Sequence, residues 1–293
     1  MGPVIGPMVI AGVLVNEEDI PKLKSMGAKD SKLLTRKQRD DLFEPIKQMV
    51  KAYKIIVIPA EEIDRALFSD DLNLNWLEAH KSAEIITELK PERAVIDSPS
   101  NNCKAYTLYV EKLLAKTHCN NSLFNHDHHK IEVICTHKAD VKFPEVSAAS
   151  ILAKVTRDRE MDEICKKYGD AGPGYMSNPI TQKFLKENWD KHPEIFRHSW
   201  MSYKNHEEQR FQQTFTDFAN VVEKQEGMVT KEDLKALEAY GYQFTEAKGE
   251  HEVARLKGPC TITLYTTGKL LIQGKPDKKE EVEKVLRKAG WVG

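Results

Sequence analysis

At 293 residues, with 40% hydrophobic and 30% charged residues, the chain can bury a sizeable core as one large domain or as a medium and a small one. A net charge of −1 excludes a global basic field, so any nucleic-acid contact must be a local patch. Five cysteines without a CxxC pair argue against a disulfide framework and suit reduced thiols, and the apolar stretch 8–15 is too short to span a bilayer, so a cytoplasmic chain with no membrane association is expected.

In chain order, Met8–Val15 and Tyr53–Pro59 read as strands rich in Val and Ile, separated by a helix over Arg36–Val50. A second helix over Asn75–Leu89 precedes a strand at Ala94–Asp97. Then come a helix at Tyr106–Lys116, a strand at Ile131–Cys135 and a long helix from Ser147, its expected N-cap, to Tyr168. That helix must stop at Gly169-Asp170-Ala171-Gly172-Pro173-Gly174, a turn-forming run. Strands alternating with helices predict an α/β sheet. Residues 206–227 read as a polar helical connector. A second unit follows, with a helix at Lys231–Tyr240 and strands near Tyr242–Thr245 and Glu252–Leu256. Its hairpin, Thr261–Thr266 and Leu270–Gln273, turns at Thr267-Gly268-Lys269, and a last helix covers Lys278–Ala289.

Asp97 ends one strand and Asp140 follows another. In open α/β sheets functional groups gather beyond the carboxyl ends of the strands. Two acids delivered there can hold Mg²⁺ or Mn²⁺, and a pair of such ions can activate water against a phosphodiester. A lone strand-end Asp ordinarily caps a turn; here the flanking residues favour metal.

Those residues are His137-Lys138-Ala139-Asp140 and Ser147-Ala148-Ala149-Ser150-Ile151-Leu152-Ala153-Lys154-Val155-Thr156-Arg157-Asp158. They closely resemble the signature of type 2 ribonuclease H (ribonuclease HII). Further pieces stand in the family's order: Gly2-Pro3-Val4-Ile5-Gly6-Pro7, Gly27-Ala28-Lys29-Asp30-Ser31-Lys32, Leu72-Asn73-Leu74-Asn75, Gly172-Pro173-Gly174-Tyr175 with Ser177-Asn178-Pro179, and Arg197-His198-Ser199-Trp200. The resemblance covers residues 2 to about 203. It implies a ribonuclease H-like mixed sheet flanked by helices (1–205), which the residues themselves follow with the connector (206–227) and a small α+β domain (228–293). The implied reaction is metal-dependent hydrolysis of the RNA strand of RNA–DNA hybrids, including ribonucleotides embedded in DNA, leaving 5′-phosphate and 3′-hydroxyl ends. Asp97 and Asp140 are then the catalytic, metal-binding acids. Tyr175 packs on the ribose at the junction, Gly2 belongs to the ribose-reading loop, and Lys32, Asn73 and Asn75 hold phosphates. Arg157-Asp158-Arg159 reads as a solvated helix face, with Lys154–Asp158 and Arg159–Glu163 spaced for ion pairs.

Family members open with a strand ending Asp-Glu-Ala-Gly-Arg-Gly-Pro, which brings two more acids; here Met1 stands in the place of the Arg. The expectation is a reading frame that continues upstream and a 293-residue form that is poorly stable and nearly inactive, with Met8–Val15 and Ala94–Asp97 lacking their shared neighbour. The rival expectation is a non-catalytic hybrid-binding protein.

Three weaker signals remain. His126-Asp127-His128-His129 reads as a solvated loop, because neighbouring side chains on an extended segment point apart. Gln212–Ala219 resembles, imperfectly, the motif by which replication enzymes bind the sliding clamp; the same residues read as a helix burying Phe211, Phe215 and Phe218. Residues 261–274 look like a half-repeat of a TATA-box-binding-protein-like domain, whose wet face with Lys257 and Lys269 is expected to lie on nucleic acid. The protein is expected to act as a monomer.

Overall fold

The structure is a computed structural model that describes residues 2–27, 34–69, 72–121, 131–207, 229–235, 237, 238, 241–275, 279, 280 and 282. It divides into two compact units, residues 1–203 and 204–293. In the first unit β1 (Met8–Leu14) pairs antiparallel with β2 (Ala52–Ile58), and β3 (Arg93–Asp97) pairs parallel with β4 (Glu132–Thr136). Between them in sequence lie α1 (Ile20–Ser25), α2 (Arg36–Met49), α3 (Ala60–Phe68), α4 (Leu74–Leu89) and α5 (Cys103–Asn121). After β4 come α6 (Ala139–Lys142), α7 (Pro144–Tyr168) and α8 (Pro179–Asn188). The α/β architecture expected from the sequence is present.

Local chemistry explains the helix boundaries. Thr35 and Gln38 form a reciprocal capping box that starts α2. Asn73 accepts the Trp76 amide hydrogen and starts α4 one residue earlier than the periodicity predicts. Ser147 is not the N-cap of α7. The helix begins at Pro144, whose missing N–H suits a first turn, and Ser147 is wholly buried inside it. The small Ala148 lets α7 approach α2 closely; Ala148, Ile151, Leu152 and Val155 pack with Phe43, Ile46 and Val50.

A second core forms where α4 and α5 cover β3 and β4, around Ala83, Ile86, Tyr106, Val110 and Val133. Gly12 permits the contact of β1 with α4, since a Cβ there would lie 2.5 Å from Ile85 Cγ2.

The two strand pairs of this unit do not join. Among the described residues β1 pairs only with β2, and β3 only with β4. A slot of about 580 Å³ runs between the two unpaired edges, with α4 and α7 contributing its walls. Every residue of β1 is only partly buried although helices from both sides reach it. A row of backbone donors and acceptors facing such a slot is unfavourable unless water or another strand meets it.

The second unit holds a short helix, α9 (Lys231–Lys235), and a four-stranded antiparallel sheet in the order β5 (Gln243–Thr245), β6 (Glu252–Lys257), β7 (Thr261–Tyr265), β8 (Leu270–Gln273). Leu256, Ile262, Leu264 and Ile272 line its inner face with Leu234, Leu237 and Tyr242. The hairpin turn spans 266–269, closed by Gly268 N–H to Tyr265 O (2.8 Å) with Gly268 at φ +78°. The connector from residue 208 onward and most of the last expected helix lie outside the described residues.

Candidate active site

Parallel pairing of β3 with β4 places Asp97 opposite Thr136. The chain then turns through Lys138 in the left-handed region (φ 54°), and α6 begins at Ala139. The Ala139 N–H donates to Asp97 Oδ1 at 3.0 Å, which fixes one carboxylate oxygen. Asp140, the next residue, is 4% exposed, whereas Asp97 is open to solvent. Both border the slot. The two acids read from the sequence are therefore brought together.

Glu78 and Glu145 border the same slot and were missed by the sequence reading. Glu78 sits one turn before Ser82 and two before Ile85, on the α4 stripe that continues to Leu89, so helical spacing carried the signal. Burial pushes the Glu78 carboxyl up to about 7; Arg197 opposes this and Asp97 adds to it. Because that value lies above the ordinary 4.5, the folded state holds the proton more tightly. The associated stability is complete below pH 4.5 and is lost as pH rises through 7. Glu78→Gln should therefore raise the melting temperature at pH 8, by at most about 3 kcal/mol of stability, and change little at pH 4.5. Equal effects at both pH values in a thermal melt would refute this assignment.

Gly2–Gly6 is locked into a clamp that includes Arg197, the cation whose charge is felt at Glu78. Val4 and Ile5 N–H both donate to Gly174 O (2.8 and 3.3 Å), and Arg197 N–H donates to Val4 O at 2.9 Å. Trp200 Nε1 donates to Gly2 O at 3.2 Å, and Arg197 Nε to Gly6 O at 3.1 Å. Gly174 is at φ +81°, and a Cβ there would lie 2.8 Å from Ile5 O. Val4 and Ile5, just after Gly2, are thus tied through main chain to Gly174, just before Tyr175, and Tyr175 remains 38% exposed. Arg197 itself is 2% exposed, and burial, with Arg157 nearby, pulls its guanidinium down to about 10.

The remaining expected substrate residues are less concentrated. Asn73 is exposed but its side-chain oxygen caps α4, and Asn75 lies within the first turn of that helix. Lys32 lies outside the described residues, as do His126–His129 and Gln212–Ala219. Lys257 and Lys269 are exposed but stand at opposite ends of their sheet: Lys257 is across from Thr261, and Lys269 follows the turn at the far end of β7. The Arg157-Asp158-Arg159 face is not a simple solvated one. Asp158 pairs with Arg39 at 2.9 Å, Arg159 reaches Asp40 at 3.8 Å and covers the Phe43 ring, and Arg157 turns toward Tyr175.

An α/β unit with helices on both sides of its strands and acids beyond their carboxyl ends has the architecture of the ribonuclease H-like nucleases. Residues 1–203 match the family model described as Ribonuclease HII, and the chain belongs to that family. It is similar to the ribonuclease HII of Pyrococcus furiosus, 40% identical over 212 residues that cover 71% of this chain and 87% of the relative. The crystal structure of ribonuclease H2 from Pyrococcus horikoshii matches with a TM-score of 0.61 and 35% identity, covering 71% of this chain and 93% of that one. The ribonuclease HII of Archaeoglobus fulgidus, solved in complex with PCNA, matches with a TM-score of 0.58 and 35% identity over 70% of this chain and 89% of that one. The family match ends where the first unit ends. No helix among the described residues is long and apolar enough to cross a membrane.

Proposed function

We propose that the protein hydrolyses the RNA strand of RNA–DNA hybrids, including single ribonucleotides within DNA, and leaves 5′-phosphate and 3′-hydroxyl ends. The observation that carries this reading is the convergence of Asp97 and Asp140 beside one slot in a chain of the ribonuclease HII family. Asp97 is oriented by the Ala139 N–H and keeps its second oxygen open; Asp140 is fixed one residue beyond that amide. The exposed Tyr175 ring offers a surface for a ribose, and the Gly2–Ile5 main chain lies beside it without side chains at Gly2.

Hard carboxylate oxygens suit Mg²⁺ or Mn²⁺, and one or two carboxylates with substrate phosphates are a sufficient set for one Mg²⁺. Asp97 and Asp140 would hold that ion, which lowers the pKa of water and stabilises charge on a phosphodiester. Among the described residues no three His, Cys, Asp or Glu side chains are grouped to hold a metal. A second ion needs further carboxylates; the alternative reading is a hybrid-binding protein without turnover. A gel assay on a duplex with one ribonucleotide decides between them, run on a form carrying an N-terminal Asp-Glu-Ala-Gly-Arg segment. Mg²⁺-dependent nicking with the stated ends is expected; equal cleavage in excess chelator, or binding without cleavage, would overturn the reading.

The second unit is read as a nucleic-acid grip, supported by the exposed Lys257 and Lys269 on an antiparallel sheet. Deleting 228–293 should weaken hybrid binding and flatten its salt dependence, because fewer phosphates are neutralised. An unchanged affinity and slope in a fluorescence titration would leave the unit a structural role. Docking of Gln212–Ala219 on a sliding clamp is a further part of this reading, supported by the complex that the Archaeoglobus fulgidus relative forms with PCNA.

A further inference from the structure

Tyr175 has little of its own to hold its ring. It follows Gly172, Pro173 and Gly174, two of them glycines at positive φ, and it is 38% exposed. The main chain of the loop is pinned by the Gly2–Ile5 segment, but those bonds leave the phenol free to change rotamer. Against the ring stands Arg157 of α7. Its guanidinium carbon lies 4.9 Å from the ring centroid, and its Nη2 donates to Pro173 O at 3.0 Å. Its Nε is buried without a hydrogen-bond partner among the described residues, so the side chain is held in that orientation by stacking and by the single carbonyl. Among the described residues Arg157 makes no ion pair, although Arg159 beside it does and Asp158 is taken by Arg39. Salt-bridge chemistry therefore does not explain why an arginine stands here.

We propose that Arg157 is a positioning residue for Tyr175: it backs the ring and ties the 172–175 loop to α7, so that the ring's open face is presented to the ribose of an RNA–DNA junction. The proposal rests on the reading of Tyr175 as the sugar-packing residue. A planar guanidinium can stack on an aromatic face while donating in its own plane to a carbonyl, and an ammonium cannot do both. Arg157→Lys should thus restore only part of what Arg157→Gln loses. Arg197, the other nearby guanidinium, cannot substitute, because its Nε is committed to Gly6 O and its carbon lies over the Trp200 ring.

Two measurements on the 293-residue chain test this without turnover. In protein labelled with 3-fluorotyrosine, the Tyr175 resonance, identified by its loss in Tyr175→Phe, should shift and broaden in Arg157→Gln and stay put in Arg159→Gln. An unmoved resonance overturns the positioning role. In chelator, anisotropy titrations with a duplex holding one ribonucleotide and with its all-DNA counterpart give a preference ratio. Arg157→Gln should lower that ratio about fivefold, the scale of one partly exposed cation–π contact. Tyr175→Ala should lower it at least as much, and the double variant no further than Tyr175→Ala alone. Losses that multiply in the double variant overturn the proposal. A ratio that Tyr175→Ala leaves unchanged refutes the sugar-packing reading instead, and the fluorine shift still decides whether Arg157 sets the ring. If Arg157→Gln melts well below the parent, Arg157→Lys replaces it in both measurements, with a smaller shift expected in the same direction.

Discussion

Joining an apolar strand of about six residues that ends Asp-Glu-Ala-Gly-Arg ahead of Gly2 is expected to raise the melting temperature of the first unit by roughly 6–12 °C and to raise cleavage from near zero to ordinary turnover. The basis is the slot between β1 and β3, where two strand edges stand without a partner among the described residues. A strand lying there would pair with both edges and be covered by side chains of α4 and α7, including Ile85, Leu89, Ala149 and Ala153. Buried on both faces, it needs a continuous apolar run. Each apolar side chain brought from water stabilises by ~1.5–3 kcal/mol, while ordering each residue costs ~1–2 kcal/mol. With ladder hydrogen bonds of ~1 kcal/mol each, a net gain of about 3 kcal/mol is reasonable. The acids at the end of the strand would add to Asp97 and Asp140, which supplies the ligands that a second ion requires. Parallel melts and cleavage assays of the 293-residue and extended forms check this. Comparable melting and turnover in the two would show that the slot is satisfied from within the chain.

The legible parts of the molecule were those written in local periodicity or in a run of neighbouring residues. The strands at Met8, Ala52, Arg93 and Glu132 are Val- and Ile-rich, and their ends moved by only a residue or two. Asp97 ends β3 and Asp140 comes four residues after β4, and the family resemblance of the flanking His137-Lys138-Ala139-Asp140 and Ser147-Ala148-Ala149-Ser150 runs is what pairs them from sequence. What escaped depends on distant partners. Arg157 looked solvent-facing because Lys154, Asp158 and Arg159 flank it, yet its role is set by Pro173 and Tyr175, sixteen or more residues away. Glu78 lies on a stripe that helical spacing in α4 marks, but only the fold tells that this stripe faces a slot beside Asp97. Ser147 reads as a cap on residue type, whereas Pro144 begins the helix earlier and leaves the serine buried inside it.

Asp140→Asn, made in the extended form, should keep the fold and lower cleavage at least about 100-fold. Asparagine nearly conserves volume, and Asp140 lies in the first turn of a four-residue helix against buried Ala139, so packing should survive. What is lost is one negative charge at a buried position beside Asp97. A carboxylate in such a place holds a hard cation far better than a neutral amide does, and stabilisation of a phosphoryl transition state by a bound ion is worth several kcal/mol. Losing about 3 kcal/mol of it corresponds to two decades in rate. Two features separate this from a structural effect. The melting temperature should change by no more than a few degrees, and raising Mn²⁺ or Mg²⁺ should recover part of the rate by mass action, which a folding defect would not allow. Asp97→Asn should behave alike but with a smaller penalty on folding, because its Oδ1 still accepts from Ala139 as an amide oxygen. If Asp140→Asn cuts as fast as its parent, Asp140 serves only to start α6 after β4, and the site must be sought among Glu78, Asp97 and Glu145.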